Sequence, residues 1–489
     1  MSVGIPAIAG AAQVIQRPGT GLSGLAGPLD LMAEAALSAA ADAGSDRMLL
    51  DVEWLGVAGG YWRYRDPGAL VAEMIGCRSA KTALSSISGS APQEMVGRAA
   101  DLIARGQVDV ALVVGGEARY SSKRLKRAGQ APPWSTAVGE GNPELVPAFP
   151  DDAAVTEEFR MFGVAAPAYA LMSDSMRVAD GETVGDHRSR LADLWARFSQ
   201  VAARNPFAWH RQAHSVEDIR DARPDNRMIA FPYTKAMVAN NDVDMASAVL
   251  LCSTTAARRF GVALDRMVFP HAVTKAHETW LVVERNELHG SPALAAAGTA
   301  ALRHAGIGPD DVEHIDLYAC FPAVVRMSAR ALGFGMERQL TVTGGLGFAG
   351  AAVGNATGQS IAAMVPLLRA GGWGVVHGNG GHATKHAFGV YSNTPPRQFI
   401  FDDCQASVVQ QNRMQLARWW SGEGTVEAAT VVFDRNGPSH VLAAMRGPGP
   451  LSASRGWATS TDPGMIKAMM TSGLAGETVR RAPTGEIER

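Results

Sequence analysis

The sequence predicts an α/β protein in which one unit occurs twice, followed by a small β-rich module. Three observations carry this. An Ala-rich helix, a strand, a second helix and an apolar strand closed by glycines occur in that order in both halves of the chain. Two glycine-dense stretches, Thr343-Gly-Gly-Leu-Gly-Phe-Ala-Gly-Ala-Ala-Val-Gly-Asn-Ala-Thr-Gly and Val375-Val-His-Gly-Asn-Gly-Gly, sit between an apolar helix and an apolar strand. A backbone needs such glycine where it takes positive φ or approaches a ligand closely. After Thr394-Pro-Pro-Arg the apolar pattern changes to the two-residue alternation of half-exposed strands.

In the first half, Met1 to Ala11 reads as a core strand and not as a basic leader. Asp30 to Gly44 reads as a helix, with Asp30 as cap and Gly44 as stop. Leu50 to Gly59 follows as strand and turn. Ser88-Gly-Ser-Ala-Pro-Gln opens a helix that runs to Arg105 and ends at Gly106. Ser90 and Gln93 have capping-box spacing, and Pro92 suits a first helical turn. Val108 to Glu117 is a short apolar run of the buried parallel type.

The second half repeats the order. Ser291 to Gly306 is a helix, His314 to Phe321 a strand, Gly358 to Arg369 a helix, and Val375 to Gly381 a strand with its glycine turn. Two such units predict a pseudo-symmetric pair of sheets with helices between and outside them.

Between the halves lies an insert from about Arg119 to Met245. Its early part, Gln130 to Asp152, reads as an extended loop; Glu182 to Asp225 reads as helical; Asp242 to Cys252 reads as a helix running into a strand, capped by Asp242 and Asp244. Long inserts of this kind form lids and substrate walls. In the final module Thr425 to Phe433 and His440 to Arg446 are strands joined by the Asp434-Arg-Asn-Gly turn. Asp462 to Ser472 is a short helix, and a last strand starts at Glu477. The domain boundaries that follow are 1–260 with the insert at about 119–245, 261–396, and 397–489.

A chain of 489 residues has length for more than one core, and a formal charge of −2 gives no nucleic-acid footprint. The run Lys123 to Arg127 reads as a solvated loop. Cys77, Cys252, Cys320 and Cys404 are too dispersed for a disulfide framework, which fits a reducing cytoplasm. No apolar run is long enough to span a bilayer.

These motifs resemble the thiolase superfamily, and within it the type 1 thiolase-like proteins related to sterol-carrier-type thiolases, which carry an added C-terminal β domain. Gly344 to Gly354 is similar to the family's GGAxAxGHPxG loop, Tyr318-Ala-Cys-Phe to its NEAF block, and His377-Gly-Asn-Gly-Gly to its CxGGG block. Ser88 to Met95 stands where the nucleophile turn opens a helix. The resemblance implies a five-layered αβαβα core from two pseudo-symmetric halves, with a C-terminal domain resembling a small β-barrel.

It also implies departures from thiolase chemistry. The nucleophilic cysteine's position falls at Gly89; the adjacent Ser90 reads as a cap before a nucleophile. The histidine of GHP becomes Ala351, the asparagine of NEAF becomes Tyr318, and the second cysteine becomes His377. Tyr318 either exchanges a proton with a β-hydroxyl or fills space. His377 is either an acid/base group near neutral pH or a core histidine. Gly89, Ser90, Gly345, Gly350, Asn355, Asn379 and Gly380 are candidates for holding a thioester. The two asparagines are equally explained by turn chemistry. Lys385 and His386, placed on the same loop, suit a carboxylate or phosphate, and the spacing of His377, His382 and His386 matches no zinc pattern. Cys320 reads as a core thiol.

The resemblance implies a protein that acts on or binds acyl-CoA thioesters in lipid or steroid metabolism, similar to acetyl-CoA acetyltransferases but without their nucleophile. The alternatives are a retro-aldolase using Tyr318 and His377 on a β-hydroxyacyl-CoA, and a non-catalytic acyl-CoA or lipid carrier. Coenzyme A enters as part of the substrate, with no tightly bound cofactor. The chain is expected to be a monomer or homodimer without nucleic-acid partners.

Overall fold

The computed structural model describes residues 4–19, 21–77, 79–136, 141–146, 153–408, 413–416, 420–448 and 453–488. Its core is two sheets with the same internal order. In the first, Pro6–Ile15 pairs antiparallel with Asp244–Ser253, which pairs antiparallel with Val110–Ala118, which pairs parallel with Trp54–Val57. In the second, Phe269–His277, Lys385–Ser392, Trp373–Gly380 and Val312–Asp316 repeat those three pairings strand for strand. The duplicated unit expected from sequence is therefore present. Lys81–Ser85 extends the first sheet, and the three-residue strand Glu144–Val146 from the insert closes its far edge.

Strand alternation divides the core into layers. Along Val110–Ala118, Val110, Leu112 and Val114 face outward onto Leu31, Met32 and the alanines of helix Pro28–Ala43. Ala111 and Val113 face inward onto Met95, Val96, Ala99 and Ile361. Helices Ala91–Ala104 and Ala356–Arg369 form the shared middle layer, while Pro292–Ala305 and Pro322–Leu332 cover the second sheet from outside. Alanine at the helix contacts lets backbones approach closely.

Helix ends follow local signals with two exceptions. Gly44 and Gly306 stop their helices in the left-handed region, and Ser291 caps by accepting the N–H of Leu294. Asp30, expected as a cap, instead lies in the third helical position and accepts from Gly27 N–H at 2.8 Å. Ser90 has helical backbone angles and makes no cap, and Gln93 turns inward to donate to the Tyr391 hydroxyl at 2.5 Å. The expected capping box is absent because both side chains are drawn into the buried middle layer.

The insert departs most from expectation. Residues 137–140 and 147–152 of its early part lie outside the described residues. The run Lys123 to Arg127 is helical, within Arg119–Arg127, and Asp242 binds Arg119 (2.9 Å) and Lys123 (2.5 Å). Asp244 opens a strand instead of capping a helix. The strand is buried on both faces, so its alanines mark close packing and not helix, and the Asp244 carboxylate accepts the N–H and hydroxyl of Ser121. Helices Ala153–Phe162 and Ala165–Ala179 have no counterpart in the sequence reading. The second is buried on nearly every side, which leaves no polar face to show a 3.6-residue period.

The C-terminal sheet runs in the order Gln415–Leu416, Ser454–Ser460, Pro438–Arg446, Gly422–Phe433, Thr478–Arg481, Ile487–Glu488, and curls into a half-barrel. Its two end strands do not pair with each other among the described residues, so the barrel stays open. Met228–Ala230 of the insert adds to it beside Val432. Arg455, fully buried, fastens this sheet to the core: it donates to the Glu427 carboxylate (2.6 and 2.7 Å) and to the carbonyls of Val283, Arg285 and Asn286. Arg455→Ala leaves three carbonyls without this donor and Glu427 with Arg446 (2.9 Å) as its remaining cation. The expected loss is about 3–5 kcal/mol, measured by denaturant unfolding, with the C-terminal sheet becoming protease-sensitive.

Candidate functional site

The conserved order of the two halves brings their loops together above the middle helices, where a cavity of about 390 Å³ opens. Its floor is Ser88, Gly89, Tyr318, Cys320, Asn379 and Gly380; its walls come from the insert, through Val164, Ala165, Ala166, Tyr169, Ile229 and Val238. The insert therefore does form walls of the site. No lysine, arginine, aspartate or glutamate lines the cavity among the described residues. A polar cavity of about 450 Å³ beside Glu278 and Arg285 lies elsewhere and holds none of the candidate residues.

Tyr318 stands at the centre. The strand expected to contain it ends at Asp316, whose carboxylate accepts the N–H groups of Val342 (2.9 Å) and Thr343 (3.0 Å) and the Thr341 hydroxyl (3.0 Å). The chain then turns into the cavity. A Cβ built at Gly89 would collide with the Tyr318 hydroxyl oxygen and the Asn379 carbonyl oxygen. The phenol thus fills the space into which a side chain at position 89 would grow. Burial raises the Tyr318 pKa, so the group is a protonated phenol.

Cys320, expected in the core, also lines the cavity. The expectation assumed that strand alternation continued past Asp316, and it does not. Burial pushes its thiol up to about 12, so it is not a thiolate. Asn379 donates from Nδ2 to the Tyr169 hydroxyl (3.0 Å) and lies 3.8 Å from the Cys320 sulfur. That Tyr169 hydroxyl accepts Ala383 N–H (2.9 Å) and donates to the Gly381 carbonyl (2.7 Å). One tyrosine from the insert thereby fixes the whole glycine turn, and no sequence motif marks it.

Apart from Gly380, the other candidates stand outside the cavity lining. His377 is fully buried, stacked on Phe388 at 4.3 Å and bonded to Ser328 Oγ (3.1 Å) and His386 (3.2 Å); it does not line the cavity. Burial holds its pKa well below the ordinary value, so it is a neutral core imidazole. His386 and Lys385 lie on the returning strand and not on a loop. His386 meets Ser291 (3.4 Å) and the Ala383 carbonyl (3.2 Å), and its pKa is lowered by burial to about 4. Lys385 pairs with Glu94 at 3.5 Å.

Ser90 donates to Glu94 (2.7 Å) and shares a hydrogen bond with Ser88 (2.8 Å). Asn355 donates to the Gly115 carbonyl (2.7 Å) and Ser247 (2.9 Å), and so ties strands of the first sheet without facing a ligand. Gly345 and Gly350 take φ of +79° and +101° against Phe198 and Met245; their role is in the turn, away from the cavity. Ala351 does line the cavity, and Gly380 passes so close to Ser88 that a side chain there would collide with its hydroxyl. Among the described residues no three potential ligands stand together as a metal would need.

Two outcomes follow from this geometry. Gly89→Ala should destabilise the fold by about 1–3 kcal/mol, and Tyr318→Ala in the same chain should recover part of that loss; a thermodynamic cycle of the two changes by urea unfolding reads the coupling. At the cavity rim, buried Glu117 accepts Tyr61 N–H (2.5 Å), and burial raises its carboxyl to about 7. Its folded value lies above its unfolded one, so its contribution is present at low pH and is lost as pH rises toward 7, by roughly 3 kcal/mol in all. Glu117→Gln should therefore stabilise the chain at pH 8 and much less at pH 5, measured by melting at each pH.

Comparisons with known proteins agree with this architecture. Residues 403–486 match the family described as the thiolase-like protein type 1 additional C-terminal domain. A monomeric SCP2-thiolase-like protein type 1 from Mycobacterium smegmatis is similar over 99% of this chain and 98% of its own, at 29% identity and a TM-score of 0.84. The Ltp2-ChsH2(DUF35) aldolase (20% identity, 80% of this chain and 98% of that one, TM-score 0.59) shares the fold. So does an acetyl-CoA acetyltransferase from Syntrophomonas wolfei (17% identity, 80% of this chain and 100% of that one, TM-score 0.56). No curated protein matches. Among the described residues no helix is long and apolar enough to cross a membrane. Over its full length the chain thus has the fold of a type 1 thiolase-like protein, and at residues 403–486 it matches that type's additional C-terminal domain.

Proposed function

We propose that this chain binds the acyl group of an acyl-CoA thioester in the cavity lined by Tyr318, and that it does so without forming an acyl-enzyme. The observation that carries this is the Gly89–Tyr318 contact: the phenol occupies the place from which a nucleophile on residue 89 would reach the thioester. Three further features support it. Ala351 lines the cavity with a methyl group, Cys320 is held as a thiol, and His377 lies outside. An apolar, uncharged cavity suits an acyl chain, with the Ser88 hydroxyl and the Tyr318 phenol as polar contacts for its carbonyl. Coenzyme A then arrives as part of the ligand.

A second reading, a carbon–carbon lyase acting on a β-hydroxyacyl-CoA, rests on the Tyr318 hydroxyl, which makes no hydrogen bond among the described residues. A phenol of raised pKa would give a proton and not take one. Its partner His377 does not line the cavity, so this reading lacks the base that must accept the β-hydroxyl proton.

Calorimetric titration with CoA, acetyl-CoA and a long-chain β-hydroxyacyl-CoA, with each mixture checked by mass spectrometry, tests both. Binding of the acyl-CoA with no acyl adduct and no cleaved product is expected. An adduct would sink the binding reading, and cleavage abolished by Tyr318→Phe would establish the lyase. Ala239→Phe, which grows a ring into the cavity from a half-buried wall position, should weaken acyl-CoA binding at least about tenfold while the fold persists.

A further inference from the structure

The mouth of the cavity carries a concentration of charge that the chain as a whole does not. Helix Arg119–Arg127 holds Arg119, Lys123, Arg124, Lys126 and Arg127 and no acid, in a protein of formal charge −2. Its first turn stands at the mouth. The Arg119 guanidinium lies 4.5 Å from the ring centroid of Tyr61, a cavity-lining residue, and Arg119 and Lys123 share Asp242, next in sequence to cavity-lining Asn241. From there the helix rises about 12 Å to Lys126 and Arg127, which are exposed and form no ion pair among the described residues.

Arg63 and Arg65, two and four residues after Tyr61, are exposed as well. Among the described residues, three acids near the first turn of this helical band are engaged: Asp242 on its two cations, buried Asp244 on Ser121, and buried Glu117 on Tyr61 N–H.

The same mouth exposes apolar side chains. Tyr61, Ile87 and Val164 line the cavity and are 51%, 40% and 62% exposed. A phosphate-bearing small molecule would use the cations alone. An apolar centre flanked by arginine and lysine has the composition of a protein–protein interface, with charge that steers a partner of opposite sign.

We propose that this band docks an acidic carrier protein, which delivers its acyl group into the cavity on a flexible thiol arm. This rests on the acyl-thioester reading of the cavity and names the partner that would bring the thioester.

The test measures binding of octanoyl acyl carrier protein, the same carrier unacylated, octanoyl-CoA and octanoyl-N-acetylcysteamine to the full chain and to its Lys126→Glu/Arg127→Glu variant, at about 50 and about 300 mM salt. Both residues are exposed on the last turn, and an unchanged melting temperature confirms the variant's fold.

The unacylated carrier is expected to bind, to lose at least about tenfold in the variant and at the higher salt, and to gain affinity when acylated. The N-acetylcysteamine thioester should be indifferent to the variant. Carrier binding that ignores the charge reversal overturns the proposal. Equal losses for octanoyl-CoA and the carrier also overturn it, because the band then holds phosphates only. Charge-dependent binding of the carrier with no gain on acylation overturns delivery into the cavity, and with it the acyl reading.

Discussion

Two loops, one from each half of the core, meet backbone to backbone, and the site takes its form from that contact. A side chain on Gly354 would run into the Gly59 carbonyl, and one on Gly89 into the Asn379 carbonyl. Because these main chains touch, nothing at their crossing can be enlarged without moving a sheet or a middle-layer helix. The polar groups freed by such irregular backbone are satisfied from outside the duplicated unit. Tyr169, on an insert helix, satisfies three groups of the glycine turn, and Thr357 donates to the Gly89 carbonyl at 2.5 Å.

This arrangement also sets the chemistry. The imidazoles of His377 and His386 sit within the second sheet, neutral and paired with each other and with serines, so they contribute packing and hydrogen bonds and not charge. The cavity above them is lined by aliphatic groups, three phenols, a thiol, a hydroxyl and two amides. Reactive charge is displaced to the rim, where Glu117 and the arginines lie. A site of this kind discriminates ligands by shape and hydrophobicity first and by a few hydrogen bonds second.

Much of this was legible where local signals act alone. Ser291 and Gly306 mark their helix, the Asp434-Arg-Asn-Gly turn marks its hairpin, and the repeated order of elements implies both sheets. Tyr318, Gly89 and Asn379, singled out beside the glycine loops, do line the cavity. What sequence did not show depends on non-local packing. Ser90 looks like a cap, yet Glu94 and Ser88 claim its hydroxyl. Cys320 looks like a strand residue until Asp316 is seen to end the strand four positions earlier. His377 looks available until Phe388 is found across its face. The insert helix bearing Tyr169 gave no periodic signal because it is buried on nearly every side.

The strand Glu144–Val146 has a consequence for how copies of this protein meet. An open sheet edge offers a row of unpaired N–H and C=O groups to any neighbour, including an identical one. Here the five-residue edge Lys81–Ser85 is already occupied by a strand of the same chain, held in part by the Arg98–Glu144 ion pair. The edge that remains is three residues long. A segment spent on walling a cavity and an edge at once makes each molecule its own neighbour at that border, so growth of the sheet ends within a single chain.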